Sequence, residues 1–169
     1  MSELYAEAGV KRRENAKSIA ARVGMIAFII VSFFISGLST FLVVLPAAAL
    51  IIAFIFFPRL SVEYEYVFCD GQIDFDKIMG KAKRKTMLKM DLDQIEIVAP
   101  TNSHSLDSYK NSNLPKKNYS SLDSNARTYT IIGRVKNKTE GQNIQVIFEP
   151  SEKMIECMKL KSPRKVVTY

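Results

Sequence analysis

The sequence predicts a transmembrane helical hairpin followed by an α+β domain of about six strands and one helix. Three observations carry this expectation. Residues 23–58, a run of 36, contain no charged side chain. Beyond Arg59, apolar and polar residues alternate with the period of two that a strand imposes. Near the C-terminus the apolar spacing lengthens to that of a helix.

The uncharged run is too long for one span. A helix rises about 1.5 Å per residue, so a single helix through the run would reach about 54 Å against a hydrocarbon core of about 30 Å. Ser36-Gly37-Leu38-Ser39-Thr40 divides it, leaving apolar stretches at residues 19–35 and 41–57, each 17 residues long. Gly37 suits a tight turn, and such a turn must reach the interface because unpaired backbone groups are costly in lipid. The alternative is one span with an interfacial or re-entrant remainder. Pro46, inside the second stretch, is expected to kink its helix. Gly24, Ala27, Ser32 and Ser36, set against Ala47, Ala48 and Ala49, are expected to allow close helix packing or homo-oligomerisation through the hairpin. A secretory signal peptide is disfavoured, because the apolar stretch far exceeds the usual 7–15 residues.

The flanks predict orientation. Lys11, Arg12, Arg13, Lys17 and Arg22 precede the run, Arg59 follows it, and the dividing turn is uncharged. The positive-inside rule therefore places both termini in the cytoplasm of a two-span protein of the cell membrane. The expected organisation is a basic leader over residues 1–18, the hairpin over 19–58, and a cytoplasmic domain over 59–169. That last part has 111 residues with 19 Lys/Arg and 14 Asp/Glu, so it carries +5 of the formal charge of +7. It is large enough for one core, and its charge favours an anionic leaflet.

Within it, Val62, Tyr64, Tyr66 and Phe68 alternate with Glu63, Glu65, Val67 and Cys69 as one strand. Asp70-Gly71 signals a hairpin turn into QIDFDKI. Gly80 breaks the pattern before KRKTMLKM, and LDQIEIVAP supplies a fourth strand. Residues 100–126 are dominated by Ser and Asn, with Leu106, Tyr109, Leu114, Tyr119 and Leu122 as the apolar positions. They are expected to form a mobile loop, partly docked through those residues. TYTIIGRV and NIQVIFE read as two further strands around a polar KNKTEG turn. SEKMIECMKL then places Met154, Ile155, Cys157 and Met158 on one helical stripe, with Ser151 as cap and Pro163 as stop. That helix is expected to cover the apolar face of the sheet.

YEYVFCDGQIDFDKIMGKAKRK, MDLDQIEIVAP and VIFEPSEKMIECMKLKSPRKV resemble a family of short bacterial membrane proteins, in which a two-helix hairpin precedes a C-terminal bacterial PH-like domain. The resemblance implies a bent antiparallel sheet or small barrel with a C-terminal helix. It implies no reaction and no catalytic residue.

The strongest candidate surface is Lys77, Lys81, Lys83, Arg84, Lys85 and Lys89, a cationic group suited to anionic lipid or to a protein partner. Strict alternation puts Lys83, Lys85 and Lys89 on one face and Arg84 on the other. Its bland counterpart is a solvated polar face. No nucleic-acid partner is expected, because the cluster lacks interleaved aromatics. His104, Ser105 and Asp107 have the residue types of a hydrolytic triad but crowd one polar segment. Asp70, Asp74, Asp76, Asp91 and Asp93 match no calcium-loop pattern. Cys69 and Cys157 are too isolated for a zinc motif, and Cys157 reads as a core residue. No catalytic, cofactor or metal residue is assigned. The expected role is a non-enzymatic interaction or scaffolding protein held at the cytoplasmic leaflet, with the bilayer and an unidentified protein as partners. The alternatives are a module sensing anionic phospholipids and a membrane-associated enzyme or enzyme subunit.

Overall fold

The computed structural model describes residues 4–80, 83–136 and 141–168. The chain opens with a strand, β1 (Tyr5–Lys11), before entering helix α1 (Ala16–Ser36). A short 3-10 turn at Thr40–Val43 leads into helix α2 (Val44–Phe56), and β2 (Val62–Cys69) brings the chain back. β2 pairs antiparallel with β1, from Tyr5 opposite Cys69 to Lys11 opposite Glu63. The segment expected to be only a basic leader thus supplies the first strand of the domain, and the domain starts before the hairpin rather than at residue 59. Its alternation is real but quiet. Ala6 is buried, Ala8 and Val10 pack against the core, and small alanines give little hydrophobic or strand signal.

β3 (Gln72–Met79) and β4 (Lys83–Asp91) complete a sheet of order β1-β2-β3-β4. The β2–β3 turn has positive φ at both Asp70 (44°) and Gly71 (107°), as a two-residue hairpin of right-handed twist requires. After a 3-10 turn at Leu92–Gln94 come β5 (Ile95–Pro100), the short helix α3 (Asp107–Lys110), β6 (Lys116–Asn118), β7 (Tyr129–Lys136) and β8 (Gly141–Phe148). These strands form a second sheet of order β5-β7-β8-β6, in which β6 runs parallel to β8. The expected bent antiparallel sheet or small barrel thus takes the form of two four-stranded sheets that do not close into a barrel. Within the second sheet, Gly133 of β7 lies tight against the start of β5, and the end of the Met90 side chain reaches it from β4. A Cβ there would lie 2.9 Å from Gln94 O, Ile95 Cα and Met90 Cε, so only glycine allows the approach.

The core lies between the sheets. Tyr66, Phe75 and Phe148 are fully buried with ring centroids 5.5–5.7 Å apart, in edge-on pairings. Helix α4 (Glu152–Lys161) closes the open side against β1 and β2, burying Met154, Ile155, Cys157 and Met158. Ser151 caps it, its hydroxyl accepting from the Met154 N–H at 3.3 Å. Beyond α4, Val98 N–H donates to Lys165 O and Val167 N–H to Val98 O, both at 2.8 Å, which covers the edge of β5.

The polar stretch 100–126, expected to be a loop partly docked through its Leu and Tyr residues, docks through four of those five. Leu106 is buried with Ala99 and Ile132 on the outer face of the second sheet, joined by Tyr109 and Leu114. Tyr119 instead enters the inner core, 5.4 Å from the rings of both Tyr64 and Phe75. Its carbonyl accepts the Tyr66 hydroxyl at 2.5 Å. Desolvation raises the Tyr66 pKa well above the usual tyrosine value, so this hydroxyl stays a donor. Leu122 does not dock. It stays exposed with a φ of 66°.

α1 and α2 pack on one another through Ser32, Pro46 and Ala49, all buried, with Ser36 half-buried beside them. Gly24 has open space around it and Ala27 is exposed, so these two expected packing residues lie off the contact. Pro46 sits in the first turn of α2, where a missing N–H breaks no helical bond, rather than kinking mid-helix. α1 and the helical stretch Thr40–Leu60, which joins α2 to the 3-10 turns on either side, are each 21 residues long and apolar enough, by length and composition, to cross a membrane. Tyr119→Ala is expected to destabilise the protein by about 3–4 kcal/mol, whereas Leu122→Ala costs under about 0.5 kcal/mol; chemical denaturation in detergent distinguishes the two.

Candidate interaction surface

The hairpin leaves the sheet after Lys11 and returns before Val62, so its base sits where β3 ends and β4 begins. Two connections fix that base. The Arg12 guanidinium lies over the Tyr64 ring (5.6 Å) and donates to Tyr64 Oη at 2.6 Å and Asn118 O at 3.3 Å. Arg13 N–H donates to Ser121 O at 2.7 Å, and Glu149 accepts from both the N–H and the hydroxyl of Ser121. These anchors were not legible in the sequence, because Arg12 meets partners 52 and 106 positions away. Arg22, one turn and a half into α1, pairs with Glu14 and covers the Phe57 ring at 5.4 Å.

The predicted cationic cluster is divided by a β-bulge. Directly opposed residues of an antiparallel ladder project to the same side. The register shifts between Phe75 and Asp76, so Lys89 opposes Asp74 while Thr86 opposes Asp76 and Lys85 opposes Lys77. Strict alternation therefore fails, and Lys89 does not share a face with Lys83 and Lys85. On the outer side, Arg84 pairs with Glu65 and with Asp76 (3.5 Å), and Lys89 pairs with Asp74. The Asp74 carboxylate also holds the Lys89 ammonium above the usual lysine range. On the other side, Lys77, Lys83 and Lys85 follow the face of Tyr64, with no carboxylate partner among the described residues. Lys81 lies outside the described residues.

These three lysines share the hairpin end of the sheet with Arg12, Arg13 and Arg59. Arg12, Arg13 and Lys77 line a cleft of about 230 Å³ at the hairpin base, and Arg59 and Lys83 line a second of about 450 Å³ beside Ile55 and Pro58. The far end of the sheet is different. A shallow groove of about 670 Å³ there carries Asp70, Asp91 and Asp93, with Lys161 bonded to Asp70 at 2.8 Å. The hairpin end of the first sheet is therefore basic, whereas this groove gathers three carboxylates, with Lys161 and Lys165 at its rim.

The other residues weighed in the sequence form no catalytic constellation. His104 is fully exposed and bonds Asp107 at 3.1 Å, Lys110 closes on the same carboxylate at 2.6 Å, and Ser105 N–H donates to the Ser103 hydroxyl that caps this turn. Asp70, Asp74 and Asp76 pair with Lys161, Lys89 and Arg84, and no group of three metal-ligating side chains converges among the described residues. Cys69 is exposed and Cys157 buried, both as free thiols.

A family model described as a bacterial PH-like domain, DUF6106, matches residues 2–168. The chain belongs to this bacterial PH-like family. The match starts before β1 and runs past α4, so the family unit includes the N-terminal strand and both apolar helices as well as the two sheets. No curated protein and no solved structure matches the chain. Membership of a PH-like family points to a lipid- or protein-interaction module.

Two outcomes are expected. Arg84→Ala leaves the nearly buried Asp76 without its cation and lowers stability by about 1 kcal/mol in chemical denaturation. Lys110 and His104 hold the Asp107 carboxyl below its ordinary range, so its contacts persist above the unfolded carboxylate pKa and are lost only as pH falls through the lowered value. An NMR titration of Asp107 checks this.

Proposed function

We propose that this protein is a non-enzymatic, membrane-anchored interaction or scaffolding module, whose two-span hairpin holds the PH-like domain against the cytoplasmic leaflet. The observation that carries this reading is the insertion of the apolar hairpin between the paired strands β1 and β2. Because both ends of the hairpin belong to one sheet, a crossing by α1 must be reversed by α2. That favours an even number of spans with β1 and the rest of the domain on the same side. Basic residues at the hairpin end agree with a cytoplasmic, anionic leaflet as the neighbouring surface. A flexible linker would let the domain swing. Here the Arg12 and Arg13 bonds tie the hairpin base to the sheets.

A second reading, selective binding of anionic phospholipid, is favoured by Lys77, Lys83 and Lys85 lying beside Arg12 and Arg59. Each such cation near a headgroup layer contributes about 1 kcal/mol. Under that reading, reversing Lys83 and Lys85 removes a preference for phosphatidylglycerol vesicles.

The anchored protein is expected to stay with membranes through carbonate washing, while a chain with residues 14–59 replaced by a short turn is released and keeps mixed α/β circular dichroism. Extraction of the full chain by carbonate would overturn the proposal. In a Cys69→Ser background, Ser39→Cys should react with an impermeant maleimide from outside the cell, and Ser103→Cys only after permeabilisation.

A further inference from the structure

We propose that the hairpin-proximal half of β4 is a docking edge for an extended acidic segment of a partner protein, added to the sheet as a fifth strand. This rests on reading the domain as an interaction module and names the chemistry of what it would receive.

Of the four sheet edges, β5 is covered by the backbone of residues 165–167, β6 has only three residues, and β1, seven residues long, has α4 packed against it. β4 is the long remaining edge, nine residues from Lys83 to Asp91. Toward its end Leu88 is half-buried and Met90 buried. Its first part is open: Lys83, Arg84, Lys85, Thr86 and Met87 are five consecutive exposed residues. No described backbone group outside β3 bonds to them. An unpaired edge of this kind offers a row of N–H and C=O groups to an incoming strand.

Charge selects the occupant. Lys83 and Lys85 project to one side, two residues apart, without carboxylate partners among the described residues. A strand with acidic side chains at positions i and i+2 meets both, while an apolar neighbour meets exposed Met87 (42%). A neutral or basic strand would leave the lysines desolvated or facing like charge. A second copy is also the wrong partner. Antiparallel pairing of two β4 strands sets lysine-rich segments together and points the two hairpin bases in opposite directions, which one bilayer does not permit.

The test uses the full chain in nanodiscs of phosphatidylcholine and a fluorescent peptide of alternating Glu and Val, followed by anisotropy. The controls are its Lys–Val counterpart and the same acidic peptide with alternate amides N-methylated. The acidic peptide should bind at least about tenfold more tightly than either control. Lys83→Glu with Lys85→Glu should reverse the preference between the acidic and basic peptides. Met87→Pro, placed at the bulge where the β3 ladder is already interrupted, should abolish binding without lowering the melting temperature by more than a few degrees. Equal binding of the N-methylated peptide would show surface charge attraction rather than strand addition, and would overturn the proposal even if the proline variant fails to fold. Absence of peptide binding, with the lysine reversals changing only attraction to phosphatidylglycerol vesicles, would assign the surface to lipid and also overturn it. Membrane retention of the protein is unaffected by any of these results, so the docking edge and the anchor can fail separately.

Discussion

Everything in this molecule depends on the pairing of β1 with β2. The two strands that carry the hairpin are neighbours in one sheet, so the apolar helices are an insertion within the domain rather than an appendage before it. That constraint brings Lys11 and Arg12 beside Val62 and Tyr64, and it brings the start of β4 to the same end. The position of the cations relative to the hairpin follows from it. So does the role of α4, which lies across β1 and β2 and holds the inserted strand in the core.

A second constraint is the bulge opposite Phe75 and Asp76. One extra residue in β4 moves Arg84 and Lys89 to the side of the β3 carboxylates and leaves Lys83 and Lys85 on the side of Lys77. A cationic run that looks uniform in sequence thus becomes two surfaces. On one, the charges are largely neutralised by Glu65, Asp74 and Asp76. On the other, Lys83 and Lys85 remain exposed beside the hairpin. Bulges commonly re-aim side chains at sheet edges.

Much of the fold was legible one segment at a time. β2, β3, β5, β7, β8 and α4 carry strong alternation or a clear helical stripe in residues such as Tyr66, Phe75, Val146 and Met158. β1 escaped notice because Ala6 and Ala8 bury little apolar surface, although the β2 edge they cover needs a partner. The polar stretch was legible only in its apolar residues. Leu106, Tyr109, Leu114 and Tyr119 all dock, but on two different faces of the second sheet and the core. No local period could state which face each would choose.

The sequence by itself determined that two apolar helices precede a strand-rich basic part, because length, charge and periodicity are local properties of the chain. It also determined the Asp70-Gly71 turn and the capped final helix, whose signals lie within a few residues of one another. Only the tertiary structure decided that β1 belongs to the domain, that the strands divide into two sheets, and that the lysine cluster is split. Each of those outcomes depends on register between segments far apart in sequence. Register is set by which side chains can share a core, and that is a property of the assembled fold.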